Sequence, residues 1–158
     1  MATLALTRSR EDRKRYDLAG YGSLRRTSLT GSRGEVRPDG GTQLRTERTG
    51  ILRPVLRATD DVGSVVGEFR ATGLGSSGDL TWRGESLRLR STSWLRARYV
   101  LERAGDALVR LEVKGWGREP VRVDVVDLAT EPALVLFAVA VARNVSADSD
   151  GGGAAAVS

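Results

Sequence analysis

The sequence predicts a mainly β domain: a closed antiparallel barrel of about 12 strands around a buried apolar helix near its C-terminus. Three observations carry this. Short alternating runs recur along the chain, separated by Gly, Asp and Ser turns with no helical pattern between them. One run, Ala133–Ala142, is apolar at every position. A helix apolar all round has no solvent face, so something must enclose it on every side.

The alternating runs come in order. Leu24–Thr30 alternates loosely, and Pro38-Asp39-Gly40-Gly41 signals a turn. Pro54–Thr59 alternates into the turn Asp60–Gly63, and Ser64–Ala71 offers Val65, Val66 and Phe69 to a core. Leu80–Trp82 reverses at Arg83-Gly84 into Ser86–Arg90, which places Leu87 and Leu89 on one face and Arg88 and Arg90 on the other. Ala97–Glu102 turns through Ala104-Gly105-Asp106 into Ala107–Lys114, and Val121–Val125 alternates again. Turns every ten residues or so indicate a sandwich or barrel.

The apolar run could in principle be a buried strand, because periodicity does not separate the two states in a wholly apolar segment. Its Ala content, Thr130 as an N-cap, an acid and Pro132 in the first turn, and Arg143-Asn144 as a stop all favour helix. A helix with side chains is about 10–12 Å across. Eight-stranded barrels are filled by their own side chains, so roughly eleven or twelve strands are needed to hold one.

The expected organisation is a basic mobile lead-in over 1–15 and a single barrel domain over 16–144, with its central helix near 131–143. A disordered tail over 145–158 completes it. No targeting segment is read at the N-terminus. The apolar run of ten residues is half the roughly 20 that span a bilayer. The expected location is cytoplasmic, peripheral at the inner membrane surface.

Composition narrows the chemistry. The chain has no Cys and no His, which removes disulfides, thiolate and imidazole metal sites, Cys nucleophiles and His general bases. No enzyme activity, metal or cofactor is therefore expected. The net charge of +5 is uneven: through Arg57 there are 13 basic and 6 acidic residues, and after it 12 and 14. All basic residues but Lys14 and Lys114 are Arg, a skew that codon usage explains as readily as function.

The candidate anion-binding residues are Arg25, Arg26, Arg33, Arg37, Arg45 and Arg48, since guanidinium forks suit phosphate oxygens. A generic charged surface is the competing reading. Nucleic acid is disfavoured because only Tyr16 and Tyr21 lie nearby as stacking platforms.

Other motifs have plainer explanations. Gly73-Leu-Gly75-Ser-Ser-Gly78 matches a dinucleotide-binding pattern, but a strand rather than a helix follows it. Asp148-x-Asp150-Gly151 starts like a calcium loop in a chain that stops before the twelfth loop position. The carboxylate pairs Asp60/Asp61 and Asp124/Asp127 read as solvated turn and strand-end residues, and Asn144-Val-Ser146 is a sequon only in a secreted protein. Trp82, Trp94 and Trp116 read as packing residues.

The last hairpin YVLERAGDALVRLEVKGWG, the strand PVRVDVVDL and the helix EPALVLFAVAVARN, with the earlier segments GDLTW and LRLR, resemble the Tubby C-terminal-like superfamily. That group includes phospholipid scramblases and LURP-one-related proteins, and the likeness is to its bacterial branch. The resemblance covers 16–144 and implies a twelve-stranded barrel around a central helix. It also implies a non-enzymatic binding or scaffold domain whose partners are anionic lipid head groups. It carries over no specific pocket residue. The alternative is a nucleic-acid-associated basic protein.

Overall fold

A computed structural model describes residues 1–29, 32–50, 52–72, 77–93, 95–115 and 117–157, with side chains described through Ala147. Twelve antiparallel strands close into one barrel, each paired with its sequence neighbours, and β1 closes the ring against β12. The strands are β1 Ala2–Arg8, β2 Arg15–Leu18, β3 Gly22–Arg26, β4 Arg33–Pro38, β5 Leu44–Thr49 and β6 Val55–Thr59. They continue with β7 Val65–Ala71, β8 Gly78–Trp82, β9 Glu85–Ser93, β10 Ala97–Arg103, β11 Asp106–Val113 and β12 Val121–Val125. The helix α1, Pro132–Val157, follows.

Period-two alternation builds the wall. Each strand sends at least one buried apolar side chain inward: Leu6, Leu18, Leu24, Val36, Leu44 and Leu56 from the first half, and Phe69, Leu80, Leu89, Leu101, Val109 and Val123 from the second. The alternate positions point outward and carry cross-strand ion pairs such as Arg57–Glu68 at 2.6 Å, Arg90–Glu102 at 2.7 Å and Arg88–Asp79 at 3.2 Å. A membrane-spanning barrel would give those outward positions an apolar band instead. Among the described residues, no helix is long and apolar enough to cross a membrane.

The helix lies inside, as its composition requires. Val135, Phe137 and Val139 are all 0% exposed, and from Ala133 through Ala142 only Ala140 is not buried. Burying each such Val or Phe contributes about 1.5–3 kcal/mol. The Phe137 ring packs 5.5 Å from that of Trp82, so Trp82 is a core residue. Gly67 makes room for both: a Cβ there would stand 2.5 Å from the Trp82 ring and 3.3 Å from Phe137. Trp94 and Trp116 lie outside the described residues.

The structure corrects the organisation read from sequence in three places. Residues 2–8 are not a mobile lead-in but the strand that closes the barrel, with Ala2, Leu4 and Leu6 turned toward the core. Only the charge run after it is a connection. The helix does not stop at Arg143-Asn144. The Asn144 Nδ2 donates to the Ala140 carbonyl one turn back, and Val145 and Ser146 remain buried, so the tail expected from 145 begins inside the barrel. Nor is Thr130 the N-cap. Its hydroxyl donates back to the Asp127 carbonyl at 2.6 Å, and Glu131 is the residue whose carbonyl accepts the first helical N–H, from Val135.

The remaining motifs resolve simply. Gly78 opens β8, so no helix follows the glycine-rich segment, whose residues 73–76 lie outside the described set. Asp148, Asp150 and Gly151 fall within α1, not in a loop. The Asp60 carboxylate accepts the N–H groups of Val62 and Ser64 in the β6–β7 turn, and that of Asp127 accepts the Ala129 N–H. Arg83-Gly84 is a two-residue hairpin loop with φ of +48° and +81°.

Candidate functional site

Antiparallel order sends every second connection to the same end of the barrel. The helix enters at the end formed by the connections 19–21, 39–43, 60–64, 83–84, 104–105 and 126–131. It runs toward the opposite end, formed by 9–14, 27–32, 50–54, 72–77, 94–96 and 114–120, here called the mouth. The charges of these connections are segregated. Those at the mouth hold seven basic residues (Arg10, Arg13, Lys14, Arg53, Arg96, Lys114 and Arg118) and three acidic ones. Those at the entry end hold Arg83 against five acids: Asp39, Asp60, Asp61, Asp127 and Glu131.

A cavity of about 650 Å³ opens at the mouth between β2–β6 and the helix. The helix presents Ala140, Arg143, Asn144 and Ala147 to it, spaced as one face of an α-helix. Two of the four are Ala, which leaves the space unfilled. Leu24, Val36 and Leu56 form the floor, with the Thr46 hydroxyl among them. The rim carries Lys14, Arg25, Arg26, Arg33, Arg48 and Arg143, against Glu35 as the one acid among the described lining residues.

Alternation sorts the six arginines singled out from the sequence. Arg26 shares the inward phase of Leu24 on β3, and Arg48 that of Leu44 and Thr46 on β5, so both lean over the opening. Arg25 and Arg33 lie on the outward phase at the rim, where each already meets a carboxylate: Arg25 meets Asp12 at 2.8 Å and Arg33 meets Glu47 at 3.9 Å. The backbone N–H of Lys14 and the Arg25 guanidinium hold the Asp12 carboxyl below its ordinary range, which ties the 9–14 connection to β3. Arg37 pairs at 3.3 Å with Glu35, the acid at the rim, and Arg45 points outward; neither arginine lines the cavity.

Sequence reasoning missed two cations. Read from the sequence, Lys14 belongs to the lead-in and Arg143 to the helix end. The Arg143 guanidinium sits 4.2 Å from the centre of the Tyr16 ring, a cation–π contact that steers it into the mouth. Lys14, Arg26 and Arg143 have no ion-pair partner among the described residues. They are charges that the wall leaves uncompensated at the edge of an open cavity.

Three polar contacts fix the frame around this site. At the entry end, Trp82 Nε1–H donates to Glu131 at 2.7 Å and Arg83 reaches the same carboxylate at 2.7 Å. Deeper in, the Tyr99 and Ser146 hydroxyls meet at 3.1 Å, pinning the helix to β10. Burial of Ser146 also removes the Asn144-Val-Ser146 sequon from any modifying enzyme. A second cavity, of about 390 Å³, lies against β10–β12, but its charges alternate in sign, with Arg98 on Glu112 at 3.2 Å and Arg122 near Asp124 at 3.8 Å. Its described lining holds three cations against two acids, a much weaker excess than at the mouth.

No protein-family model, no curated protein and no solved structure matches the chain.

Proposed function

We propose that this chain is a non-enzymatic binding domain of Tubby C-terminal-like type that engages anionic phospholipid head groups at a membrane surface. The observation that carries the reading is the convergence of Lys14, Arg26 and Arg143 on one open cavity without carboxylate partners among the described residues. Uncompensated cations with apolar surface behind them suit a phosphate-bearing group better than a free inorganic ion, which has nothing to offer the Leu24, Val36 and Leu56 floor. The closed twelve-stranded barrel around a C-terminal helix is the architecture that the superfamily resemblance implies.

The nucleic-acid alternative loses ground at this site. The aromatic residue of the cavity is Tyr16, which is buried and bears Arg143 over its ring, so it is not free to stack on a base.

Co-sedimentation with phosphatidylcholine vesicles, with and without phosphatidylserine, tests the reading. Binding is expected only to the anionic vesicles and is expected to fade with added salt, because the Debye length falls from roughly 10 Å at 0.1 M to 3 Å at 1 M. Equal binding to both vesicle types, or tighter binding to single-stranded nucleic acid in a mobility assay, overturns it.

A further inference from the structure

We infer that the mouth docks end-on onto an anionic bilayer, with Leu29 and Leu52 entering the membrane interface while the cations of the mouth face the head groups. The inference rests on the mouth being an anion site, and adds to it what holds the domain at a bilayer rather than on a soluble anion.

Leu29 is 96% exposed in the β3–β4 connection and Leu52 is 95% exposed in the β5–β6 connection. A single exposed leucine is unremarkable on any protein. These two differ in their position. The strands they join supply much of the cavity rim: Arg26 and Arg33 stand at the base of the first connection, Thr49 and Gly50 at the base of the second. The two leucines therefore flank the opening. Leu95, also exposed, lies in the β9–β10 connection at the same end.

The first connection is held at its base. The Thr27 N–H donates to the Arg33 carbonyl at 3.0 Å, and the Arg33 N–H donates to the Ser28 hydroxyl at 3.0 Å. Leu29 thus projects from a tied stem. In water this orientation buries nothing; against an interface, exposed apolar side chains on the connections beside a cluster of cations gain from both.

Charge decides which end meets the membrane. The entry end also exposes apolar side chains, Val62 and Leu128, but they sit beside Asp60, Asp61 and Asp127. An anionic surface repels that end and attracts the mouth, so the barrel approaches with the C-terminal half of α1 leading. Each cation near such a surface strengthens binding about fivefold. Each leucine transferred from water strengthens it about tenfold.

The absence of cysteine makes the test direct, because any introduced thiol is unique. Leu52→Cys and Val62→Cys are each labelled with an environment-sensitive dye and mixed with phosphatidylcholine vesicles, with and without phosphatidylserine. Inositol hexakisphosphate, titrated by calorimetry, probes the mouth without a bilayer. The dye at position 52 is expected to shift to the blue with anionic vesicles only, and the dye at 62 to stay unchanged. The double variant Leu29→Ser/Leu52→Ser is expected to lose at least tenfold in vesicle affinity with hexakisphosphate binding intact. Hexakisphosphate binding with no dye shift, or with vesicle affinity untouched by the double variant, overturns insertion and leaves the anion site standing. Loss of both ligands in the wild type defeats the anion site and the inference together. A shift at position 52 on concentrating the protein alone shows that a second copy covers the leucines, and also overturns it.

Discussion

The indole N–H of Trp82 donates to the carboxylate of Glu131 at 2.7 Å, joining the last residue of β8 to the residue that starts the helix. Arg83, next in the hairpin, completes the clamp with a bond of 2.7 Å to the same carboxylate, and its guanidinium lies 5.5 Å from the Trp82 ring. The end of the helix opposite the mouth is thereby fixed in rotation and depth. That in turn fixes which helix face, Ala140 through Ala147, looks into the cavity.

Removing the charge of that clamp should lower stability in a pH-dependent way. The Arg83 guanidinium foremost, opposed by burial and aided by the Trp82 N–H, holds the Glu131 carboxyl below its ordinary value of 4.5. A depressed carboxylate contributes stability that is fully present above the unfolded-state pKa and is lost as pH falls through the folded one. Glu131→Gln should therefore cost about 1–2 kcal/mol at neutral pH, a modest figure because the pair is partly exposed. Thermal melts of the two proteins should converge as pH drops below about 4.5. A constant difference down to low pH would contradict the clamp.

The helix core admits no charge. Phe137→Ala should cost about 3–5 kcal/mol by denaturant titration, since the cavity it leaves is walled by strands that cannot collapse onto it. Phe137→Asp should abolish soluble expression, because a buried unpaired carboxylate costs several kcal/mol, roughly, even after relaxation. Wild-type stability for either variant would place that side chain elsewhere.

Deleting residues 1–8 should be as damaging as a core substitution. The deletion removes β1, which pairs with β12 on one side and β2 on the other, and leaves two open edges in a wall that otherwise has none. Aggregation or loss of the cooperative melt is expected, measured by light scattering and circular dichroism. A stable monomer would restore the reading of these residues as a lead-in.

The barrel itself was legible because its two strongest signals are local. The alternation of Leu87 and Leu89 against Arg88 and Arg90, and the unbroken apolar run, each report burial without any knowledge of partners. The elements missed were those where the signal is diluted. On β1, Thr3 and Thr7 alternate with apolar residues just before a charge run, and that run dominated the composition of the whole segment. On β2, β4 and β5, charged residues occupy the outward positions and leave one or two inward apolar side chains per strand. The site was half legible for a related reason. Arginine content marked the correct strands, but alternation decides which arginines lean over the opening, and that needs the register. Lys14 and Arg143 are brought to the mouth by chain reversals that no local pattern encodes.

Register makes a sharp distinction between neighbours. Arg26→Ser should weaken binding to phosphatidylserine vesicles about fivefold with little change in melting temperature. Arg45→Ser, whose side chain points outward and does not line the cavity, should leave vesicle binding almost unchanged. Equal losses from the two would mean that overall charge, not the mouth, governs binding.

The most direct measurement compares two triple variants with the same change in net charge. Lys14→Ser/Arg26→Ser/Arg143→Ser empties the mouth of its unpartnered cations, whereas Arg57→Ser/Arg90→Ser/Arg110→Ser removes three from the outer wall. Affinity for phosphatidylserine vesicles is measured for both at roughly 0.1 M salt, where the Debye length is about 10 Å, after confirming that each melts cooperatively. The mouth variant is expected to lose about a hundredfold and the wall variant less than a few-fold. Comparable losses from both, or a larger one from the wall, would contradict the assignment of the barrel mouth as the binding site.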